Sequence, residues 1–530
     1  MTPESTVADA TPELAPRKGL RGHPWLTLLT VAIGVMMVAL DGTIVAIANP
    51  AIQKDLGASL ADVQWITNAY LLALAVVLIT AGKLGDRFGY RLVFLIGTTG
   101  FAASSGLIAL SGQVSVVIGF RVLQGLCGAL LMPSALGLLR ATFPAEKLNM
   151  ALGLWSMVIG ASTAGGPIIG GLLVEHVNWQ SVFYINVPVG ALAVVLSLLF
   201  LKDPRSSNAP RSFDLLGIVL LSGGMFCLIW ALIKVPDWHW GSPRTLGFLG
   251  AALLCFVAFV LWQIRVREPL LPLRLFRSVP LSAGTVLMVL MAFAFMGGIF
   301  YVTFYLQNVH GMSPVNAGLH LLPLTCMMIV GSPLAGVAIT RFGPRIPLVL
   351  GMACTAAACF GMSTLTTDTG TPLVSLWFAL FGLGLAPVLV GATDVIVGNA
   401  PLEHAGLAGG LQQGAMQVGG SLGTAVLGAV VASRVSHLLP GRWAAAGLPP
   451  LPPETMDKGA KVTELGVAPI PPHTPPQVAD KITDVAHHTF VSAMSTSFFV
   501  AGWVAVGAAL VALLTKRGAH AGAAPGGAHL

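Results

Sequence analysis

The sequence contains fourteen runs of about 20 or more apolar residues, and this pattern restricts the possible folds more than any other feature. A helix needs about 20 apolar residues to cross the roughly 30 Å hydrocarbon core of a bilayer. Because 55% of the 530 residues are apolar and only 9% are charged, the chain cannot supply the polar surface of a soluble domain. We therefore predict an all-α polytopic membrane protein, with runs that begin near residues 25, 62, 91, 114, 148, 180, 214, 245, 281, 315, 345, 372, 404 and 492.

One motif occurs twice, as GKLGDRFGYRLVFLIG from Gly82 to Gly97 and as GVAITRFGPRIPLVLG from Gly336 to Gly351. Each copy joins two long apolar runs, which indicates a duplicated bundle of membrane helices. The copies follow the second and the tenth run, whereas simple duplication of fourteen runs would separate them by seven. We therefore predict two six-helix bundles with two inserted central helices. The predicted division is an N-terminal tail (1–24), a first bundle (25–201), an inserted pair (202–280), a second bundle (281–515) and a C-terminal tail (516–530).

The net charge of +7 reports membrane topology rather than a nucleic-acid partner. Lys and Arg concentrate in every second connection, as in the clusters Lys83/Arg87/Arg91 and Arg265/Arg267. Cytoplasmic loops of membrane proteins carry such an excess of basic residues. We therefore predict a multi-pass protein of the cell membrane, with the lipid bilayer as its partner and both termini in the cytoplasm. The first run is too long for a signal peptide, so no cleavage is expected.

The cysteines suggest no metal and no disulfide framework. All six lie within apolar runs, and their spacing does not match a typical zinc or disulfide pattern. We expect them to be packing residues, and we expect neither a metal nor a cofactor.

The connection at residues 433–490 is much longer than the others and contains ten prolines. Such a composition is typical of extended or disordered chain, so we expect mostly a solvated extracellular linker. Its last part, QVADKITDVAHHTF, has helical spacing and is expected to lie on the membrane surface. A role of this loop in substrate gating is an alternative. The Gly/Ala-rich C-terminal tail is also expected to be disordered.

Two charged residues lie inside apolar runs, Asp41 in the first and Arg121 in the fourth. Each costs roughly 2.5–3.5 kcal/mol to insert into a membrane. Counting about 1.5 Å per residue from the run ends places both at a similar depth. An aspartate beside a guanidinium stays ionised, whereas one in a dry pocket takes up a proton. We therefore predict a proton-coupling pair, with a static buried ion pair as the alternative.

The fifth run carries small residues at intervals of four. Such residues form a smooth ridge on one helix face, which allows a neighbouring helix to approach closely. We predict that this ridge opens or closes a seam between the two bundles, and ordinary packing is the alternative. The predicted residues are Ser162, Gly166, Pro167, Gly170 and Gly171.

The loop GKLGDRFGYR combines an acidic residue with basic residues and glycines at the predicted cytoplasmic face. Glycine permits tight turns, and an aspartate can cap a helix or pair with arginine in one conformation only. We predict a conformational latch made of Gly82, Asp86, Arg87, Gly89 and Arg91. A loop that only sets topology would explain the arginines but not Asp86.

The remaining polar groups inside the runs are mainly amides and hydroxyls. The thirteenth run has three glutamines and is a candidate wall of a substrate cavity. Each residue, taken alone, is also compatible with simple packing. The candidate cavity residues are Gln124, Asn186, Tyr305, Gln307, Gln412, Gln413 and Gln417.

These motifs together resemble the fourteen-span drug/proton antiporter branch of the major facilitator superfamily. LDGTIVAIANP resembles the first-helix motif, GKLGDRFGYR the loop motif, RVLQGLCGALLMP the fourth-helix motif and SxxxGPxxGG, from Ser162, the antiporter motif. The similarity covers nearly the whole chain outside the tails and residues 433–490.

The resemblance implies a major facilitator fold and proton-driven export of drug-like or antibiotic molecules by alternating access. It assigns proton coupling to Asp41 and Arg121 and sealing to the fifth-helix ridge. Some relatives that expel dications carry acidic residues where this chain has Gln412 and Gln413. We therefore expect a neutral, zwitterionic or anionic amphiphile as cargo rather than a dication, and a monomeric transporter.

Two other functions are compatible with such a chain. The same fold serves as a proton-coupled symporter or facilitator for small metabolites, which the antiporter motif disfavours. A transport-silent sensor or membrane-embedded enzyme is the alternative from another class. The sequence has no Walker motif for an ATPase and no HExxH or GxSxG motif for a hydrolase, so we predict that the chain is not an enzyme.

Overall fold

The computed structural model describes residues 20–58, 60–202, 214–471 and 474–516, and this part of the chain is helical throughout its membrane region. Most of both predicted tails and the linker 203–213 lie outside the described residues. The described helices are α1 Pro24–Leu56, α2 Leu60–Phe88, α3 Tyr90–Ala109, α4 Val114–Thr142, α5 Ala145–His176, α6 Ser181–Tyr184, α7 Asn186–Phe200, α8 Leu215–Trp238, α9 Pro243–Arg265, α10 Val279–Phe304, α11 Pro314–His320, α12 Leu322–Phe342, α13 Arg345–Met362, α14 Thr371–Asn399, α15 Ala405–Ala445, α16 Pro453–Thr463 and α17 Pro476–Ala512.

Fourteen helical segments among the described residues are long and apolar enough to cross a membrane. The sixth segment joins α6 and α7, and the ninth extends α10 through a π-helical turn to Val309. This result confirms the predicted all-α membrane fold with fourteen spans. With an even number of crossings, the start of α1 and the end of α17 lie on one side, which we name the terminal face. The opposite side is the distal face.

The helices pack as two groups that meet along two main seams. Within the first group α2 packs on α4 and α1 on α5, and within the second α10 packs on α15 and α12 on α14. The groups contact each other through α2 with α15 and through α5 with α12. In both seams a glycine lies against the backbone of the other group, Gly82 at Gly406 and Gly336 at Asn149. A side chain at either glycine would separate the helices, so the groups meet closely near the terminal face.

The repeated motif forms the same turn in both groups. Each copy is helical on both sides of a short turn near its middle. The expected loop is therefore only a turn at one glycine, Gly89 or Gly343, with φ of 95° and 81°. A residue with a side chain rarely adopts such a φ. The arginine after the turn donates to the carbonyl end of the last span of its own group, Arg91 to Leu198 and Arg345 to Thr515. A cation there complements the helix dipole and ties the group together.

The helices α8 and α9 pack against each other, and α8 also contacts α2 and α15. Asp214 organises the terminal-face end of this pair. Its carboxylate accepts hydrogen bonds from the backbone N–H of Gly217 at 2.8 Å, from Trp262 Nε1 at 2.7 Å and from Gln263 Nε2 at 2.6 Å. Burial alone would raise the pKa of Asp214, but these hydrogen bonds hold it below its usual value.

The structure contradicts the expectation of an extended linker at residues 433–490. The helix α15 continues to Ala445, α16 follows, and α17 begins at Pro476 instead of near residue 492. At about 1.5 Å per residue α15 is roughly 60 Å long, which is twice the hydrocarbon thickness. The ends of α15 and α17 therefore project beyond the membrane and, with α16, form a helical cap on the distal face.

Prolines and apolar spacing explain this cap. Pro453 and Pro476 stand at the first helical positions of α16 and α17, where proline is favoured, so they begin helices rather than prevent them. A buried stripe at intervals of four runs along the projecting part of α15, at Val431, Val435, Leu439 and Trp443. On α17, Ile482, Ala486 and Phe490 are also buried, so this segment does not lie on the membrane surface.

The cap is joined to α10 beside a carboxyl group whose ionisation depends on docking. Asn308 Nδ2 donates to the carbonyl of Leu465 at 2.6 Å, and Glu464 is near enough to Tyr301 of α10 to interact with it electrostatically. Burial raises the pKa of Glu464 to about 7, against the opposing effect of Lys461. The docked cap therefore prefers the neutral acid.

We expect docking of the cap to weaken as the pH rises from about 5 to about 8. Because the carboxyl pKa is higher in the docked form, the stabilisation of docking is complete at pH values below the ordinary glutamate pKa. It is lost as the pH rises through about 7. Amide hydrogen exchange in α16, corrected for intrinsic rates, measures the effect. Burial lowers the pKa of nearby His310, so this histidine makes docking of the cap more favourable as the pH rises, which opposes the effect of Glu464. The comparison with Glu464→Gln isolates the glutamate, and equal pH dependence of both proteins would contradict the prediction.

Candidate functional site

The structure brings Asp41 and Arg121 into direct contact. Asp41 Oδ2 lies 2.6 Å from Arg121 Nη1, and the side chains are 0% and 1% exposed. The pair joins α1 to α4 in the distal half of the first group. An ion pair with no access to water has a large desolvation cost, which its partners must offset.

Three polar side chains complete the surroundings of this pair. Gln124 accepts from Arg121 Nη1 at 2.7 Å and donates to Asp41 Oδ1 at 3.0 Å. Its amide also donates to Ser105 at 2.6 Å, and Asn186 donates to Ser105 at 3.2 Å and to Asp41 at 3.4 Å. All of these groups are buried. We name Asp41, Arg121, Gln124, Ser105 and Asn186 the carboxylate network.

The guanidinium of Arg121 is also held from its other side. Its Nε donates to the carbonyl of Ile66 on α2 at 3.0 Å, and its carbon Cζ lies 4.1 Å from the ring centre of Tyr70. A buried cation over an aromatic face is attracted by the ring. These contacts fix Arg121 on α2 and α4, so the carboxylate on α1 is the charge that can separate from it if α1 moves.

Sequence reasoning missed two members of this site, Ser105 and Tyr70. Ser105 belongs to a serine pair in a run that is otherwise apolar or small, which is a weak signal. Gln124 and Asn186 were predicted as cavity residues, and the structure places both in the carboxylate network instead of on an open surface.

The small-residue ridge of α5 packs against α1 of its own group. A Cβ on Gly166 would overlap Thr43, and one on Gly170 would lie 2.8 Å from Cγ1 of Ile44. In this structure the ridge therefore packs in the α1–α5 seam, close to Asp41. Its predicted role in opening or closing a seam between the groups stays a prediction. Ser162 is buried on the same helix, Pro167 belongs to α5, and a Cβ at Gly171 would meet nothing within 4 Å.

The acidic residue of the predicted latch bridges the two groups. Asp86, in the last turn of α2, accepts hydrogen bonds from the backbone N–H groups of Gly406 at 2.8 Å and Leu407 at 3.1 Å. Tyr90 donates its hydroxyl to the same carboxylate at 2.7 Å. The N-terminus of a helix carries unsatisfied N–H groups and partial positive charge. A buried carboxylate from the first group thus caps α15 of the second.

The other predicted latch residues have different positions. Gly82 allows α2 to approach Gly406, and Gly89 makes the turn. Arg91 bonds to α7 within the first group. Arg87 lies with its guanidinium carbon 5.4 Å from the ring centre of Phe88. Gly82 and Asp86 of this set contact the other group.

The glutamines of α15 lie between the groups. Gln412 Nε2 is 3.7 Å from the sulfur of Met288 on α10, and Gln413 Nε2 is 3.7 Å from that of Met132 on α4. Both are buried, and the carbonyl oxygen Oε1 of Gln412 has no hydrogen-bond partner among the described residues. A buried acceptor without a partner costs about 1–3 kcal/mol, which a cargo with a donor group would recover. Gln417, about one helical turn further along α15, is partly buried.

Two other candidate cavity residues lie apart from these glutamines. Tyr305 is fully buried, and its hydroxyl donates to the carbonyl of Thr366 at 2.7 Å. Gln307 is partly buried in the π-helical turn at the distal end of α10. The structure does not join them to the α15 glutamines. Among the described residues, no group of three His, Cys, Asp or Glu side chains could hold a metal ion.

Several known proteins similar to this chain are named for export or drug resistance. The tetracenomycin C resistance and export protein of Streptomyces glaucescens is 65% identical over 95% of this chain and 93% of its own length. The multidrug resistance protein Stp of Mycobacterium tuberculosis is 33% identical over 78% of this chain and 77% of its own. The methyl viologen resistance protein SmvA of Salmonella typhimurium is 32% identical over 90% of this chain and 95% of its own length. These relatives confirm the predicted class, an efflux transporter and not an enzyme.

The fold also matches a solved structure. The human organic anion transporter MFSD10 superposes with a TM-score of 0.58 at 12% identity, covering 93% of this chain and 100% of that chain. At this identity the match shows the fold alone. The family profile of the Major Facilitator Superfamily matches residues 31–424. The chain therefore belongs to the Major Facilitator Superfamily, and its fourteen candidate spans and efflux relatives fit the fourteen-span drug-transporter branch.

Proposed function

We propose that this protein exports an antibiotic in exchange for protons. The observation that supports proton coupling is the carboxylate network, in which Asp41 on α1 pairs at 2.6 Å with an arginine held by α2 and α4. A carboxylate that has an arginine partner stays charged, and a buried one that loses it takes up a proton. Movement of α1 relative to α4 would therefore convert a conformational change into proton uptake or release.

The terminal face is proposed to be cytoplasmic, because the basic connections lie there. In this structure the two seams near that face are closed by glycine contacts and by Asp86 at the α15 N-terminus. Alternating access requires these seams to open when cargo enters from the cytoplasm. We propose that Asp86 leaves α15 in that step, and that the predicted division 25–201, 202–280 and 281–515 describes the moving bundles and the inserted pair.

We propose that the cargo is tetracenomycin C or a similar antibiotic, since the Streptomyces glaucescens protein of that name is 65% identical over nearly the full length. The α15 glutamines place neutral amide groups between the bundles. Gln412 and Gln413 stand where some relatives that expel dications carry acidic side chains, so these positions provide no negative charge to attract a dication. We therefore retain the preference for a neutral, zwitterionic or anionic amphiphile over a dication, and propose that one chain is sufficient for transport.

The test uses the purified protein in liposomes that contain a pH-sensitive dye. Tetracenomycin C is added under an imposed proton gradient, and both drug movement and internal pH are followed. One charge moved across 100 mV supplies about 2.3 kcal/mol, enough to sustain roughly a 50-fold drug gradient. Drug accumulation together with proton counterflow is expected. Equilibration of the drug without proton movement would instead indicate a facilitator, and the carboxylate network would then be structural.

A further inference from the structure

A cleft of about 600 Å³ opens on the distal face, away from the carboxylate network and from the seams. Trp240, in the turn between α8 and α9, forms one wall. The projecting part of α15 forms another, with apolar Val426 and Val430 followed by Arg434 and His437. We name this space the distal cleft. It has an apolar end and a basic end, and the proposed transport mechanism makes no use of it.

The depth of the distal cleft corresponds to the headgroup layer of a membrane. Arg434 lies roughly 44 Å along α15 from its start at Ala405, at about 1.5 Å per residue. A bilayer with its headgroups is about 40–45 Å thick, and an average tilt changes the projected depth little. The Trp240 indole also suits this layer, because tryptophan favours the boundary between hydrocarbon and water. The apolar end of the cleft thus faces the acyl region and its basic end the headgroups.

The basic end has no neutralising carboxylate among the described residues. No described ion pair or side-chain hydrogen bond involves Arg434, which is exposed. Another cation, Arg442, lies two helical turns further along α15 and interacts electrostatically with Arg434. Arg442 donates to Ser492 at 2.8 Å, and its Nη1 is buried without a hydrogen-bond partner among the described residues. Like charges repel in this arrangement, so an anion bound between them would be stabilised.

We propose that the distal cleft binds an amphiphile with an anionic headgroup. The anion pairs with Arg434 and His437, and the apolar body lies on Trp240, Val426 and Val430. An anionic phospholipid and an anionic cargo molecule share this chemistry. The proposal does not depend on proton coupling, so the two fail independently.

The test measures equilibrium binding to the purified full-length protein in a neutral detergent, by titration calorimetry. The probes are dihexanoyl-phosphatidylglycerol, dihexanoyl-phosphatidylcholine as the zwitterionic counterpart, and pyrenesulfonate as an anion without a lipid backbone. A basic residue near a charged headgroup contributes about a fivefold change in affinity. We expect at least one anionic probe to bind about tenfold more tightly than phosphatidylcholine.

Arg434→Gln should lower this preference about fivefold, and Arg434→Gln with His437→Asn should abolish it. Arg244→Gln is the matched control, because Arg244 is an exposed arginine at the same end of the neighbouring α9 and does not line the cleft. It should leave the preference unchanged. Selective binding of phosphatidylglycerol would identify a lipid, and selective binding of pyrenesulfonate a cargo-like anion. Absence of any anion preference, or its persistence in the double variant, would overturn the proposal.

Discussion

Asp41→Asn is expected to abolish proton-driven transport, down to the rate of protein-free liposomes. Asparagine keeps the size and most hydrogen bonds of the aspartate, but it cannot take up or release a proton. Under the proposed mechanism the bundles can still bind drug and exchange it across the membrane, because the α15 glutamines are unchanged. The expected signature is therefore loss of uphill transport with retained drug exchange at equal concentrations.

This variant leaves Arg121 buried without a counterion, which costs about 3–5 kcal/mol. Loss of activity through poor folding must therefore be separated from loss of coupling. The double variant Asp41→Asn/Arg121→Gln removes both charges and restores neutrality. We expect it to regain much of the thermal stability of the wild-type protein and to remain uncoupled, which a merely structural ion pair does not predict.

Asp214→Asn is the matched control. Asp214 is also a buried carboxylate with several hydrogen bonds, but it lies at the terminal-face end of α8, away from the carboxylate network of the first bundle. We expect a lower melting temperature and a preserved ratio of protons to drug. The measurements are drug flux, internal pH and melting temperature for all four proteins. Full uphill transport by Asp41→Asn would remove Asp41 from the mechanism.

Asp86→Ala is expected to loosen the contact between the bundles at the terminal face. The substitution leaves the N–H groups of Gly406 and Leu407 without their carboxylate acceptor. A hydrogen bond to a charged group contributes about 1.5–3 kcal/mol, and a loss of about 2 kcal/mol corresponds to roughly 30-fold. Transport should slow because the state closed at this face becomes less populated.

Hydrogen exchange of the protein in lipid nanodiscs measures this loosening directly. The amides at the start of α15 should exchange about 30-fold faster in Asp86→Ala. Asp86→Asn should give an intermediate rate, since its side chain retains one acceptor oxygen. Tyr90→Phe is the control that keeps the carboxylate and removes only the hydroxyl, which donates to Asp86 at 2.7 Å and accepts from the N–H of Gly406 at 3.3 Å. Its effect should be smaller than that of Asp86→Ala, because both amides keep their carboxylate acceptor. Exchange at α15 that is unchanged in Asp86→Ala would contradict the latch.

Much of the fold could be predicted because it depends on a few strong physical constraints. Apolar runs of sufficient length identified the fourteen spans, and the repeated motif identified the duplication. The distal cap could not be identified in this way. Proline content was interpreted as disorder, although Pro453 and Pro476 occupy positions that favour helix starts. Composition does not distinguish a proline that begins a helix from one that prevents it.

The candidate site was only partly predictable for a similar reason. Asp41 and Arg121 stood out because charges are rare and costly within a membrane. Amides and hydroxyls cost less, so their positions carry little information about their partners. Asn186 and Tyr305 were both expected in a substrate cavity. Asn186 lies in the carboxylate network, and the Tyr305 hydroxyl donates to the carbonyl of Thr366. Asp86 was expected to cap a helix, but the sequence did not indicate which one.

The sequence by itself determined the class of this protein, a fourteen-span membrane transporter with two charged residues buried at matching depth. These features follow from the free energy of transferring apolar and charged side chains into a bilayer. Each segment contributes its own transfer free energy, independently of its neighbours. Only the tertiary structure decided that Ser105 and Asn186 join Asp41, that Asp86 caps α15, and that the Arg434 end of α15 borders a basic cleft. Such contacts depend on how distant helices pack, and no single segment encodes its partner.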